Sequence, residues 1–153
     1  MGFLDNDTKA SVSIDGTAAY QMIVAGDLPG AWMLLSKADL SSSLDLVYNK
    51  AICLRAAGRA DEALELARLA FRRLTEGVPQ RSFDPVGTAL ISALSSPGPM
   101  NPAMPEADKT YAGLQARWLY CLCLIDCGEM EECARVAAPL AQLGIGPSAK
   151  GGE

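Results

Sequence analysis

The chain contains no histidine, which removes the commonest general base and the commonest metal ligand together. No serine or lysine stands in a nucleophile motif. The segment GIGPSAKGG comes nearest to a phosphate cradle, but its glycine spacing is wrong and Gly151 follows Lys150 where Ser or Thr would stand. A non-catalytic chain without a cofactor is expected. Long apolar runs are missing too: the longest, Trp118 to Ile125, has eight residues, against the ~20 that a membrane-spanning helix needs. The opening MGFLDNDTKA has neither the basic start nor the apolar core of a secretion signal, and Asn6 stands where a myristoylation signal has Ser or Thr. A cytoplasmic chain with no membrane partner follows as an expectation. The five cysteines form an odd set without framework spacing, which suits free thiols in a reducing compartment. Excess positive charge is missing as well, since a net charge of −5 opposes a phosphate backbone. Nucleic acid is not an expected partner.

What is present is apolar substance and a repeat. Half of the 153 residues are apolar, enough for one domain with a core. Charge is uneven: residues 50–81 carry seven Lys and Arg against four acids, +3, which leaves −8 on the rest. Either a solvated helix face with pairs such as Glu65 and Arg68, or a field that orients a partner, would produce this pattern. Three segments align without gaps: AGDLPGAWMLLSKA from Ala25, AGRADEALELARLA from Ala57 and CGEMEECARVAAPL from Cys127. Each has a glycine (Gly26, Gly58, Gly128) and a small residue five positions later (Ala31, Ala63, Cys133), with apolar residues spaced along one helix face. Glycine suits the left-handed residue that ends a helix, and the acids that follow (Asp27; Asp61 and Glu62; Glu129) suit the start of the next.

The glycines lie 32 and 70 residues apart, one and two periods in the mid-thirties, which is the signature of helical-hairpin repeats. Helices are predicted at about 15–25, 28–38, 43–57, 60–76, 84–95, 107–127 and 130–143. Between Ser95 and Ala107 runs SSPGPMNPAMPEA, whose four prolines predict a helix-free loop. It is either a connector or, through Met100 and Met104 at an exposed tip, a binding element. The fold expected is all-α: an α-α superhelix of about three hairpins with an extra short helix and a Pro-rich loop. An N-terminal arm at 1–12, a repeat domain at 13–143 and a flexible tail at 144–153 complete the organisation.

At these residues the sequence resembles a tetratricopeptide repeat protein. The family places small residues seven before and five and twelve after the glycine, where two helices touch, and a bulky residue four before it. The second repeat has Ala51, Leu54, Gly58, Ala63 and Ala70; the third has Cys121, Leu124, Gly128, Cys133 and Leu140; the first has Ala19, Met22, Gly26, Ala31 and Ala38. Residues 77–107 do not match, leaving a degenerate fourth unit or an insertion open. The register also accounts for the cysteine-rich stretch CLCLIDCGEMEEC. Cys121 and Cys133 occupy small positions, and Cys53 and Cys123 stand five before the glycine, where the family also accepts Ala. On one helix Cys121 and Cys123 project about 200° apart, so they cannot share a zinc at ~2.3 Å. No metal site is expected.

The resemblance also implies a binding face. In the family the first helix of each hairpin lines a concave groove where peptides dock. Carried over by register, that face is Asp45, Tyr48, Ile52 and Arg55 in the second repeat, Gln115, Trp118, Leu122 and Ile125 in the third, and Tyr20 and Ile23 in the first, with Asn49 as a polar fixture. Such a face suits an apolar segment of another protein. Residues 84–95 or a second copy of the chain could equally fill it and turn it into core. Family members that grip a partner's C-terminal carboxylate need a further set of Lys, Asn and Arg. Here Asn49 fits, but Gly16, Tyr20, Gln115 and Leu119 do not. The readings that stand are a protein-interaction adaptor, a chaperone resembling those of type III secretion, and a self-assembling subunit.

Overall fold

A computed structural model of the chain describes residues 16–78 and 83–145. Within them the fold is all-α. Residues 16–24 form α1, followed by α2 (Leu28–Leu35), α3 (Leu44–Ala56), α4 (Ala60–Thr75), α5 (Pro85–Ser92), α6 (Met104–Ala107), α7 (Lys109–Asp126) and α8 (Met130–Ala141). A single 3-10 turn, Leu40–Ser42, precedes α3. Helices pack in the order α2, α3, α4, α7, α8, each against the next.

The three turns inside the hairpins, α1 to α2, α3 to α4 and α7 to α8, are the same structure. Gly26, Gly58 and Gly128 sit at φ 86°, 79° and 77°, a left-handed conformation that favours glycine. In each turn the glycine N–H donates to the residue three before it (Ile23, Arg55, Ile125), and the next N–H donates to the residue five before itself (Met22, Leu54, Leu124). This pair of hydrogen bonds closes the first helix and aims the chain into the second. Asp27 then caps α2 by accepting from the Gly30 N–H at 2.9 Å. The starts of α4 and α8 have no side-chain cap and carry Asp61, Glu62, Glu131 and Glu132 in their first turns, where the helix dipole favours acids.

The small residues mark where helices meet. Ala19, Ala51 and Cys121, and Ala31, Ala63 and Cys133, are all buried. Cys133 Sγ reaches the Cys121 carbonyl at 3.7 Å, so these two positions lie against one another across α7 and α8. Gly113 does the same for α4 and α7: a Cβ there would come 3.1 Å from the Leu74 carbonyl oxygen. On that interface Phe71 stacks on Tyr120 with ring centroids 5.0 Å apart, and the Arg117 and Arg68 guanidinium groups lie over the two rings. Part of the basic excess of residues 50–81 is thus used inside the fold, since Arg68 Nε also donates to Tyr120 Oη at 3.2 Å.

Several expectations need correction. The loop read as helix-free contains α6, because Pro105 stands in its first turn, where proline's missing N–H has no helical partner to lose. The helix expected at 28–38 ends at Leu35. Among the described residues of 77–107 the helices are α5 and the four-residue α6, and after α5 the chain turns back onto α3 and α7. The fold also runs past 143. Gly144, at φ 73°, and the Ile145 N–H, bonded to the Leu140 carbonyl, close α8, and Ile145 is buried. The arm at 1–12 and the rest of the tail at 146–153 lie outside the described residues.

Candidate functional site

The face formed by α3 and α7 divides into two halves. Toward the helix N-termini lie Asp45, Tyr48, Asn49, Gln115 and Trp118, all buried. Toward the C-termini lie Ile52, Arg55, Leu122 and Ile125, all partly exposed. Tyr20 and Ile23 on α1 are also partly exposed. Ile23 packs with Ala19, Ala31 and Leu46 in a smaller apolar cluster beside the main one. The expectation that Tyr48, Asn49, Asp45, Gln115 and Trp118 face an open groove is therefore corrected.

Against Tyr48, Asn49 and Gln115 lies the Pro-rich loop. Residues 97–100 run across the N-terminal half of the face and are held mainly by their backbone. Tyr48 Oη donates to the Gly98 carbonyl at 2.6 Å. Asn49 takes Met100 from both sides: its Nδ2 donates to the Met100 carbonyl at 2.9 Å, and its Oδ1 accepts from the Met100 N–H at 2.8 Å. Gln115 Nε2 donates to the carbonyls of Pro97 and Pro99 at 2.9 and 3.3 Å. Met100 itself is fully buried in the main core. The expectation of exposed methionines at a loop tip fails for Met100, and Met104 is packed against the same core.

Burial sets the electrostatics here. It pushes the Tyr48 hydroxyl well above the usual tyrosine range, so Tyr48 is a hydrogen-bond donor at any ordinary pH. It also raises the Asp45 carboxyl, partly offset by the hydrogen bond from Ser43 Oγ to its Oδ1. The open half carries one ion pair, Arg55 Nε to Asp126 Oδ2 at 2.6 Å, linking the ends of α3 and α7. Thiols follow the core assignment: Cys53, Cys121, Cys123 and Cys133 are buried and Cys127 is partly exposed. Burial pushes Cys121 and Cys123 up to about 12.

A separate open cleft of about 440 Å³ lies where α4, α7 and α8 meet, walled by Leu74, Phe83, Leu114 and Leu143 with Lys109 and Arg117 among its lining. None of the residues selected by the repeat register lines it. The residues that the register could not select are Pro97, Gly98, Pro99 and Met100, since they belong to no repeat. Their only signal was an interruption of the period longer than a hairpin needs. No helix among the described residues is long and apolar enough to cross a membrane. Comparison of the chain with protein-family models, with curated proteins and with solved structures returned no match in any of the three.

Proposed function

We propose that this chain is a non-catalytic protein-interaction module of the tetratricopeptide type, with a concave face that holds an extended polypeptide segment. The observation that carries the reading is the two-sided grip of Asn49 on the Met100 backbone. An amide that binds both N–H and carbonyl of one residue reads main chain rather than sequence, as strand-like peptide recognition does. Tyr48 and Gln115 add two more side chains that grip carbonyls along the same segment. Beyond it, Ile52, Leu122 and Ile125 extend an apolar surface on which a partner's side chains would settle. The partner we propose is another protein in the cytoplasm, recognised through an apolar segment. The three turns of equal geometry and the buried small residues support the repeat assignment.

Photo-crosslinking tests this. A photoreactive residue is placed at Ile52, at Leu122, and at Ala134 on the exposed outer side of α8, and each protein is irradiated in native lysate. The reading expects one partner segment to be captured from both Ile52 and Leu122 and not from Ala134. Equal capture from all three positions would overturn it. A second reading, self-assembly, is favoured by the apolar outer side of α5, where Val86 and Leu90 are 67% and 66% exposed. A concentration-independent monomer in sedimentation would remove it.

A further inference from the structure

The concave face contains two buried acceptors that accept from nothing, Gln115 Oε1 and Asp45 Oδ2. Their residues are 6% and 1% exposed. Both border the segment that fills the groove. Gln115 holds it at Pro97 and Pro99. Asp45 lies near its continuation, since a Cβ at Gly16 would come 3.1 Å from Asp45 Oδ2 and 3.6 Å from the Pro102 ring. A buried acceptor without a donor loses its bond to water and gains none in return.

The composition of the segment explains why Gln115 Oε1 is unmatched. Asn49 shows what a side-chain amide on this face does with an ordinary residue: it takes the N–H and the carbonyl of Met100 together. Gln115 is presented instead with Pro97 and Pro99, which offer carbonyls and have no N–H. Its donor half is satisfied and its acceptor half is not. Pro102, which lies near Gly16 as Asp45 Oδ2 does, has no N–H either. The resident segment therefore fits the groove in shape and in half of its hydrogen bonds.

We infer that residues 97–102 are a resident stand-in which a partner segment displaces. The partner segment is an extended polypeptide with N–H-bearing residues in place of Pro97 and Pro99, a methionine-sized apolar anchor in place of Met100, and a lysine or arginine beside Asp45. The inference rests on the concave face being a polypeptide site. A tethered segment acts at an effective concentration in the mM range, so a fully matched one would never leave. Proline at the two positions facing Gln115 keeps the tethered occupant weak, and a partner that supplies the missing donors competes successfully. The groove then reads as closed until such a segment arrives.

Hydrogen exchange on the full chain is the first test. The Met100 amide should exchange at least about a hundredfold faster than the buried Ala51 and Leu54 amides of α3, by local opening. Exchange of Met100 together with those amides would mean that the segment leaves only on global unfolding, and would overturn displacement. The second test titrates the full chain carrying Met100→Ala with three synthetic peptides. One is SSPGPMNPA, the loop's own sequence from Ser95 to Ala103. The others are its analogue with alanine in place of both Pro97 and Pro99, and that analogue with lysine in place of Pro102. The alanine analogue should bind about tenfold tighter than the loop sequence, as one charge-free buried hydrogen bond supplies, and Gln115→Leu should erase the difference. The lysine analogue should bind tighter still, an increment lost with Asp45→Asn. Equal affinity of all three would overturn the donor argument. If Met100 exchanges quickly and no peptide binds, the polypeptide-site reading itself fails, which separates the two failures. A dimer of the unaltered chain that exchanges this segment between copies would make a second copy the occupant and overturn the proposal.

Discussion

Asn49 lies on α3 and Met100 fifty-one residues further on, yet the two are joined by a pair of buried hydrogen bonds of 2.8 and 2.9 Å through the Asn49 amide and the Met100 backbone. This pair closes the N-terminal half of the face formed by α3 and α7. Asn49→Ala leaves both backbone groups of Met100 without a partner, so the chain should lose about 2 to 6 kcal/mol of stability, 1 to 3 for each stranded group. Urea denaturation measures the loss, and a variant within 0.5 kcal/mol of the parent would show that water reaches Met100 freely (a change of about that size is the ordinary surface effect).

Tyr48 and Ala63 test burial and close contact against each other. Both are fully buried. Tyr48→Ala removes a large side chain from a packed site and should cost ~3 to 5 kcal/mol. Tyr48→Phe removes only the bond to the Gly98 carbonyl and should cost about 1 kcal/mol. Ala63→Leu forces extra atoms between α3 and α4, where overpacking costs ~1 to 3 kcal/mol. Thermal melts should rank the three in that order of damage: Tyr48→Ala, Ala63→Leu, Tyr48→Phe. Tyr48→Ala as the mildest of them would contradict a filled groove.

Thiol labelling distinguishes core cysteines from the one at a helix end. Cys127 is partly exposed, its thiol raised by what burial it has and by the Asp61 carboxylate, which its Sγ meets at 3.6 Å. Cys121 and Cys123, raised to about 12 by burial, hold essentially no thiolate at neutral pH. The native chain at pH 8 should therefore react at one site, Cys127, and at the other four of its five cysteines only after denaturant is added. Peptide mapping after a brief exposure to the reagent identifies the site. Early modification of Cys121 or Cys123 would show that α7 is less tightly covered than its burial indicates.

Asp45 gives the fold a pH dependence of definite sign. Burial raises its carboxyl above the ordinary value of 3.8, so the folded chain holds that proton more tightly than the unfolded chain does. The stabilisation this provides is fully present below about pH 3.8, the unfolded value, and is lost as pH rises through the raised folded value. Asp45→Asn, which cannot ionise, should therefore melt higher than the parent at pH 7. The gap should shrink as pH falls below the ordinary carboxylate range. Calorimetric scans of both proteins across that range decide the matter, and a variant that melts lower at pH 7 would mean the Asp45 charge is compensated.

The sequence by itself determined the repeat. Gly26, Gly58 and Gly128 are legible because a left-handed turn requires the same residue each time, and Ala51, Ala63, Cys121 and Cys133 because close helix contact tolerates only small side chains. Both are local demands that recur at a fixed period. The same register picked out one face of α3 and α7, but not what lies against it. That was decided by tertiary structure. The loop from Ser95 to Ala107 belongs to no repeat, and its prolines say only where regular hydrogen bonding stops. Whether such a loop turns outward or folds back depends on partners about fifty residues away in the chain, Tyr48 and Asn49, and on Gln115 in the next hairpin. No periodicity encodes a pairing between a repeat and an insertion, so Met100 could be read as exposed until three-dimensional packing placed it at the centre of the core.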